Sequence, residues 1–307
     1  TVPANVVETL DITFQLAIAA GLEALSAAGV PVLERRVTEA GADGAQTSVP
    51  TVMPLPAHMQ EDTGIIFASS FPCTESLVEE VTKCASHHAQ QLLLAHQELQ
   101  LNKDKLPIEE YEFDRKLLFK LLVMANAQLA ELIHARGPNT HVNAACASTT
   151  QAVAMAEVTA SQPRNRSHPS HADFVLTLHL QDWIRMGRCR RVVVLGADNS
   201  TSSRLLPYVA TGFLALTAAS IAPTVETGAL PFDKRRNGMI LGMGAVALVL
   251  ESTSAYGDRV RLASPDRPIR QPLAELVASH FLNSAFHASL LDREHISVEL
   301  TKFIDRT

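Results

Sequence analysis

The first thirty residues place apolar side chains at helical spacing. These side chains belong to Leu10, Phe14, Ile18, Leu22 and Leu25. They share one face of an amphipathic helix over residues 9–29, and Gly29 follows as a stop. Two further helices are predicted, over residues 75–99 and over residues 113–136, the second closed by a Gly-Pro breaker. The stretch between residues 34 and 60 has no periodicity and predicts a loop.

Short apolar runs alternate with these helices. Residues 63–69 and the β-branched residues 191–195 each suit a buried strand. Residues 237–251 predict two strands around a glycine-rich bend. Alternating helices and buried strands indicate α/β layers in which helices cover a sheet. The length of 307 residues suits one large domain or two ordinary ones.

Composition supports a globular chain and excludes several functions. Of 307 residues, 47% are hydrophobic and 19% are charged, which suits a buried core. A net charge of -6 offers no basic face for nucleic acid, and no apolar stretch approaches the roughly 20 residues of a membrane span. The four cysteines form no CxxC pair, so we expect neither a zinc site nor a disulfide scaffold. A reducing, cytoplasmic location is expected, with no signal peptide.

Cys146 is the candidate nucleophile. It lies among alanines and a serine, after a predicted strand and before a predicted helix, over residues 141–150. Small neighbours allow a carbonyl group to approach the sulfur, and the N-terminus of the following helix would favour the thiolate. A cysteine among alanines is also compatible with a small buried hydrophobe. Local sequence leaves both interpretations open.

Four segments of the sequence, the first of which contains Cys146, have the pattern of longer motifs. GPNTHVNAACAST at 137–149 and RRVVVLGAD at 190–198 are followed by YVATGFLAL at 208–216 and by PFDKRRNGMILGMGAVALVLE at 231–251. Together they resemble the β-ketoacyl-[acyl-carrier-protein] synthases of the thiolase superfamily. The long glycine signature argues against a thiolase or a chalcone synthase. Its glycines also match a dinucleotide-binding pattern, but a strand follows them where that pattern requires a helix.

The resemblance implies one α/β domain over residues 1–307 with a thiolase-like fold, in which helices cover a mixed, largely parallel sheet. It also implies a specific chemistry. Cys146 would accept an acyl group from the phosphopantetheine of an acyl carrier protein, for condensation with a malonyl-type extender in fatty-acid or polyketide synthesis. No other cofactor or metal is implied. Phe213 and His287 would lie beside the substrate. The expected partners are the carrier protein and either a second copy of the chain or a complete synthase subunit.

The resemblance covers the nucleophile and not the bases. In the family, two histidines in HGTGT-like and Gly-His motifs assist decarboxylation, and neither motif occurs in this sequence. The family's opening strand is also absent before Thr1. We therefore expect a truncated, N-terminal half of the fold, with most of the second half missing. The alternative to an acyltransferase is a catalytically incomplete fragment, or a structural or acyl-accepting partner of a complete subunit.

Residues 158–181 interrupt the pattern. This polar, proline-containing segment separates QAVAMAE, which ends at Glu157, from DWIRMG, which begins at Asp182. Joined, the two pieces have the apolar spacing of one helix. One hypothesis is a translated intron, since a Val codon begins with GT and the last codon, for Gln, can end in AG. The hypothesis is wrong if every mature transcript retains these codons.

Overall fold

The computed structural model describes residues 7–37, 48–100, 109–114, 117–156, 183–184, 186–263, 269–277, 279 and 292–305. The strands in these ranges are β1 (Leu33–Val37), β2 (Ser48–Val52), β3 (Thr63–Ala68), β4 (Asn139–Val142), β5 (Arg191–Asn199) and β6 (Met243–Glu251). The helices are α1 (Ile12–Ala27), α2 (Ala57–Gln60), α3 (Thr74–Gln100), α4 (Leu117–Leu121), α5 (Ala125–Ile133), α6 (Ser148–Ala156), α7 (Leu206–Ala215), α8 (Val225–Gly228), α9 (Thr253–Arg261) and α10 (Arg293–Ile304).

The main sheet has four strands in the order β4-β3-β5-β6. Strands β4 and β5 both pair in parallel with β3, and β6 pairs antiparallel with β5 over nine residues. The structure therefore confirms the predicted α/β class with a mixed, largely parallel sheet. Because β4, β3 and β5 are parallel, their carboxyl ends meet at one edge, and the first residue of β6 lies beside the last residue of β5 at that same edge.

Strand β3 lies inside the sheet and is buried along its whole length. Its side chains alternate between the two faces. Ile65 and Phe67 point into one apolar cluster, and Ile66 and Ala68 point into another. The continuous apolar run in the sequence is thus the signature of a strand that is covered on both sides.

Each face of the sheet has its own helical layer. On the first face, α1 and α5 contribute the buried residues Phe14, Ala17, Ile18, Leu22, Leu25, Ala125, Leu129 and Ile133. On the second face, α6 contributes Ala152 and Ala156, which pack with Trp183, Ile184 and Cys189. The nucleophile segment begins this second layer, so α6 positions the candidate site against the sheet.

Helix α1 confirms the helix predicted near the start of the chain. The Asp11 carboxylate caps it by accepting a hydrogen bond of 2.9 Å from the Thr13 backbone N–H. Phe14 meets Phe67 edge to face, with ring centroids 5.9 Å apart. Gly29 follows the helix with φ of 80°, the left-handed conformation that suits a glycine after a C-cap.

Three predictions were wrong in detail. Residues 34–60 are not simply a loop: β1 and β2 pair antiparallel, and α2 follows. The charged sequence LERRV hid β1 from a search for apolar alternation. Residues 113–136 do not form one helix, because α4 and α5 are separate. Residues 237–251 contain one long strand, β6, rather than two, with only an isolated bridge between Met239 and Ala219 before it.

Gly137, the first residue of the GPN turn, packs directly on β3. A Cβ atom at this position would lie 2.5 Å from the Thr63 carbonyl oxygen, and the Gly137 N–H donates to that oxygen at 3.1 Å. The Thr63 carbonyl oxygen belongs to the backbone of the buried strand β3, so it cannot move aside at low cost.

We expect Gly137→Ala to lower the free energy of unfolding by about 1–3 kcal/mol, the usual cost of overpacking. Urea denaturation measures it. The matched control is Gly212→Ala in α7, where an added Cβ would meet nothing within 4 Å and where Ala favours the helix over Gly. Equal effects of the two substitutions would contradict the packing explanation.

No helix among the described residues has the length and apolar character needed to cross a membrane.

Candidate active site

Cys146 lies between β4 and α6, at the carboxyl edge of the sheet, and its side chain is exposed. The preceding residue, Ala145, has φ of 48°. This left-handed conformation is uncommon for a residue with a Cβ atom and marks a sharp turn of the backbone. The turn presents the sulfur to solvent just before the first turn of α6. The structure therefore places Cys146 as the sequence predicted, between a strand and a helix.

Two polar side chains brace this turn. The Asn143 side-chain oxygen accepts a hydrogen bond of 3.1 Å from the Ala145 N–H. The Ser148 hydroxyl accepts from the Ala144 N–H at 2.9 Å and donates to the Ala145 carbonyl at 2.6 Å. Because Ser148 is buried, this bridge holds the backbone on both sides of Cys146. These bonds offset the strain at Ala145 and pre-organise the sulfur.

Asp198, near the end of β5, organises the neighbouring loop. Its carboxylate accepts hydrogen bonds from the Ser69 hydroxyl at 2.8 Å, from the Ser70 N–H at 2.9 Å and from the Phe71 N–H at 2.8 Å. The Asn143 amide in turn donates to the Ser70 carbonyl at 3.3 Å. A continuous set of hydrogen bonds thus runs from β5, through the loop after β3, to the turn that carries Cys146.

His141 lies beneath this loop. Its ring centroid is 5.5 Å from that of Phe67, and its Nε2 atom is buried without a hydrogen-bond partner among the described residues. Burial lowers the pKa of His141, while a hydrogen bond to the Ser69 backbone and the charge of Asp198 oppose that effect. The net effect lowers the pKa of His141 and so favours the neutral imidazole.

The lowered pKa of His141 gives stability a pH dependence. Above the unfolded value of about 6.5 both states are neutral at this residue. As the pH falls below that value, the unfolded chain binds the proton first, so stability is lost. We expect the free energy of unfolding to fall between pH 7 and pH 5.5, and to fall less in His141→Gln. Equal slopes for the two proteins would contradict this assignment.

The other three cysteines differ from Cys146. Burial is the main cause that raises the pKa of Cys73 to about 12 and that of Cys189 to about 11, so both remain protonated thiols. Cys84 is partly exposed on α3, with its sulfur 3.9 Å from Nδ1 of His88. Exposure thus separates Cys146 from Cys73 and Cys189, and both its greater exposure and its backbone setting separate it from Cys84.

The glycine-rich part of the 231–251 signature leads into the same edge of the sheet, where β6 begins. Gly238 has φ of 151°, and a Cβ atom there would lie 2.5 Å from the backbone of Ala219 and Ser220, so only glycine fits. Met243 pairs with Asn199, and the Ser200 hydroxyl donates to the Gly242 carbonyl at 2.8 Å. The segments at 190–198 and 231–251, which are far apart in sequence, therefore meet around the carboxyl end of β5.

The remaining predicted site residues are less informative. Phe213 lies on α7 and is half-buried, and its contact with substrate stays a prediction. His287 and the segment 158–181 lie outside the described residues. Sequence reasoning missed Asn143, Ser148 and Asp198 as bracing residues. All three are in quoted motifs, but nothing local shows that the partners of Asp198 lie in a loop more than a hundred residues away.

A cavity of about 450 Å³ lies at the opposite end of the sheet. Arg190, Arg191 and Asp258 are among its lining residues. Arg191 begins β5 and pairs with Glu251 at the end of β6. The cavity is therefore remote from Cys146, which lies at the carboxyl edge.

Comparison with known proteins gives a resemblance in structure only. No protein-family model matches the sequence, and no curated protein matches it. A β-ketoacyl synthase from Burkholderia phymatum STM815 aligns with 84% of this chain and 46% of its own, at 17% identity and a TM-score of 0.49. A type II polyketide ketosynthase, solved in complex with its acyl-carrier protein, aligns with 66% of this chain and 39% of its own, at 15% identity and a TM-score of 0.45.

A third structure, the ketosynthase from module 6 of the bacillaene synthase of Bacillus subtilis 168, aligns with 84% of this chain and 30% of its own, at 15% identity and a TM-score of 0.42. The chain thus spans less than half the length of each of these structures. All three TM-scores are below 0.5. This chain is therefore similar in structure to part of several β-ketoacyl synthases and ketosynthases, over 30–46% of their length.

Proposed function

We propose that Cys146 is an acyl acceptor of the β-ketoacyl synthase type. The observation that carries the proposal is an exposed thiol on a sharp, hydrogen-bonded turn at the N-terminal end of α6. The Cys146 sulfur attacks the carbonyl carbon of an acyl thioester. A new carbon–sulfur bond forms, the bond to the donor sulfur breaks, and the proton of the Cys146 thiol ends on the released donor thiol.

The acyl donor in this proposal is the phosphopantetheine thioester of an acyl carrier protein. Support comes from the resemblance of residues 137–149 and 231–251 to the synthase family. The chemistry also suits a thioester donor, since exchange between two thioesters is close to balanced and a thiolate is a good leaving group. The product, an acyl group on Cys146, would be poised for condensation with a malonyl-type extender.

A second function is favoured by one specific observation. The sequence has no histidine in an HGTGT-like or Gly-His context, and those histidines assist the decarboxylation that condensation requires. The chain would then accept an acyl group without forming a carbon–carbon bond by itself. In that case it would act as an acyl-accepting or structural partner of a complete synthase subunit. Pairing of this kind, homodimer formation and a cytoplasmic location all remain proposals.

One experiment separates the two functions. The full chain is incubated with an acyl thioester of a carrier protein, and the modified peptide is mapped by mass spectrometry. A malonyl-carrier thioester is then added, and the carbon–carbon product is measured. Acylation of Cys146 with condensation supports the synthase, and acylation without condensation supports the acceptor. Absence of acylation at Cys146, or equal acylation at Cys84, would overturn both.

A further inference from the structure

The carboxyl end of α6 accepts a hydrogen bond from a residue that is distant in the sequence. Helix α6 ends at Ala156, yet the backbone N–H of Trp183 donates a hydrogen bond of 3.2 Å to the Met155 carbonyl. In a helix, the carbonyl of one residue accepts from the N–H four positions later. Trp183 therefore donates the hydrogen bond that the fourth residue after Met155 would donate in a continuous helix. In the sequence, however, Trp183 comes 28 positions after Met155.

The spacing of the rejoined sequence matches this bond. Removal of residues 158–181 joins Glu157 to Asp182 and makes Trp183 the fourth residue after Met155. The observed bond between Trp183 and Met155 is then an ordinary helical hydrogen bond. A removal longer or shorter by one residue would not give this register.

Residues after Trp183 form the end of a helix. Arg188 N–H donates to the Trp183 carbonyl at 2.9 Å, and Gly187 N–H donates to the Ile184 carbonyl at 3.1 Å. Gly187 has φ of 68°. This pair of bonds around a left-handed glycine is the Schellman motif, which terminates α-helices. The hydrogen bonds of a helix C-terminus are therefore present at Gly187.

Packing supports the same register. Ala152, Ala156, Trp183 and Ile184 are all buried in one cluster against β3 and β5. In the rejoined sequence they stand at positions i, i+4, i+7 and i+8, the apolar stripe of an amphipathic helix. The Trp183 ring fits against Gly64 of β3, where an added Cβ would lie 3.0 Å from the ring. The sheet thus receives both pieces as one continuous helical face.

We infer that residues 158–181 interrupt a helix that the fold forms without them, and that the functional chain lacks these 24 residues. The hydrogen-bond register and the apolar stripe agree on the length of the excision, 24 residues. The shortened chain has a single helix from Ser148 to Met186, closed at Gly187. The inference concerns the helix that follows Cys146 and does not depend on whether that cysteine is acylated.

The first test compares two deletions in the full chain by thermal unfolding. Deletion of residues 158–181 preserves the register, and we expect a rise in Tm of at least about 2–4 °C, because the chain that connects Met155 to Trp183 is shorter by 24 residues and the helical turns become continuous. Deletion of residues 158–182 is the matched control. It moves Trp183 by one position, or about 100° around the helix, and should lower Tm.

A lower Tm for the first deletion than for the parent chain would overturn the inference, as would equal Tm values for the two deletions. The second test is amplification of the mature transcript across the codons for Glu157 and Asp182. We expect a product shorter by 24 codons. If every mature transcript retains those codons, the functional chain includes the segment and the inference is wrong. Neither test uses acylation, so its outcome is separate from that of the proposed function.

Discussion

Replacement of Cys146 with Ala should abolish acyl transfer from a thioester to this chain. The reason is that Cys146 combines exposure with a braced backbone, whereas Cys73 and Cys189 are buried thiols whose raised pKa keeps them protonated. Intact-mass spectrometry after incubation with an acyl-carrier thioester measures the effect. We expect the acyl adduct to fall by at least about a hundredfold, because the variant lacks the sulfur atom to which the acyl group would be bound.

Cys84→Ala is the matched control for this result. Cys84 is a partly exposed thiol on a regular helix, so its removal should leave acylation unchanged. Cys146→Ser adds a second comparison, because a hydroxyl of the same shape is a much weaker nucleophile at neutral pH. Persistence of the adduct in Cys146→Ala, or its loss in Cys84→Ala, would show that the acyl acceptor has been misassigned.

Replacement of Glu251 with Gln should cause the largest loss of stability. Its carboxylate, 9% exposed, binds two arginines that are themselves 3% and 6% exposed. Arg191 Nε donates to it at 2.7 Å and Arg259 Nε donates at 3.0 Å. The amide retains the shape of the carboxylate but not its charge, and it leaves two guanidinium groups without a buried counter-charge. We expect a loss of about 3–5 kcal/mol in the free energy of unfolding.

The control for Glu251 is an exposed ion pair. Glu61 and Arg136 are 3.2 Å apart, with side chains 71% and 63% exposed. Glu61→Gln should therefore cost less than about 1 kcal/mol. Chemical denaturation of both variants measures the difference. A cost for Glu251→Gln that is no larger than the cost for Glu61→Gln would mean that solvent reaches the buried arginines.

The same network joins the end of β6 to other elements of the fold. Arg259 on α9 also donates to the Ala28 carbonyl at 2.7 Å, just after α1. Arg191 donates to the Thr63 hydroxyl at 3.2 Å, at the start of β3. One carboxylate at the end of β6 is thus connected, through its two arginines, with four other elements: β5, α9, the end of α1 and the start of β3. Its two arginines stand 60 and 8 residues away from it, so only the nearer one is visible as a local pattern.

Local pattern predicted the core elements because burial repeats with the period of the backbone. The apolar face of α1 and the continuous run of β3 needed no further information. It failed at β1, where the strand residues are mostly charged, and at residues 237–251, where glycines suggested a bend that is absent from the strand itself. In both places the pairing partner, rather than the side-chain period, decides the conformation.

The position of Cys146 between strand and helix was determined by sequence alone, since small residues and a following helical pattern suffice to define such a turn. What braces it was decided by tertiary structure. Asp198 reaches Ser70 across 128 positions, and Trp183 reaches Met155 across a segment that breaks the helical period. Such contacts depend on how parallel strands align at one edge and how a helix packs on the sheet, and neither is encoded in neighbouring residues.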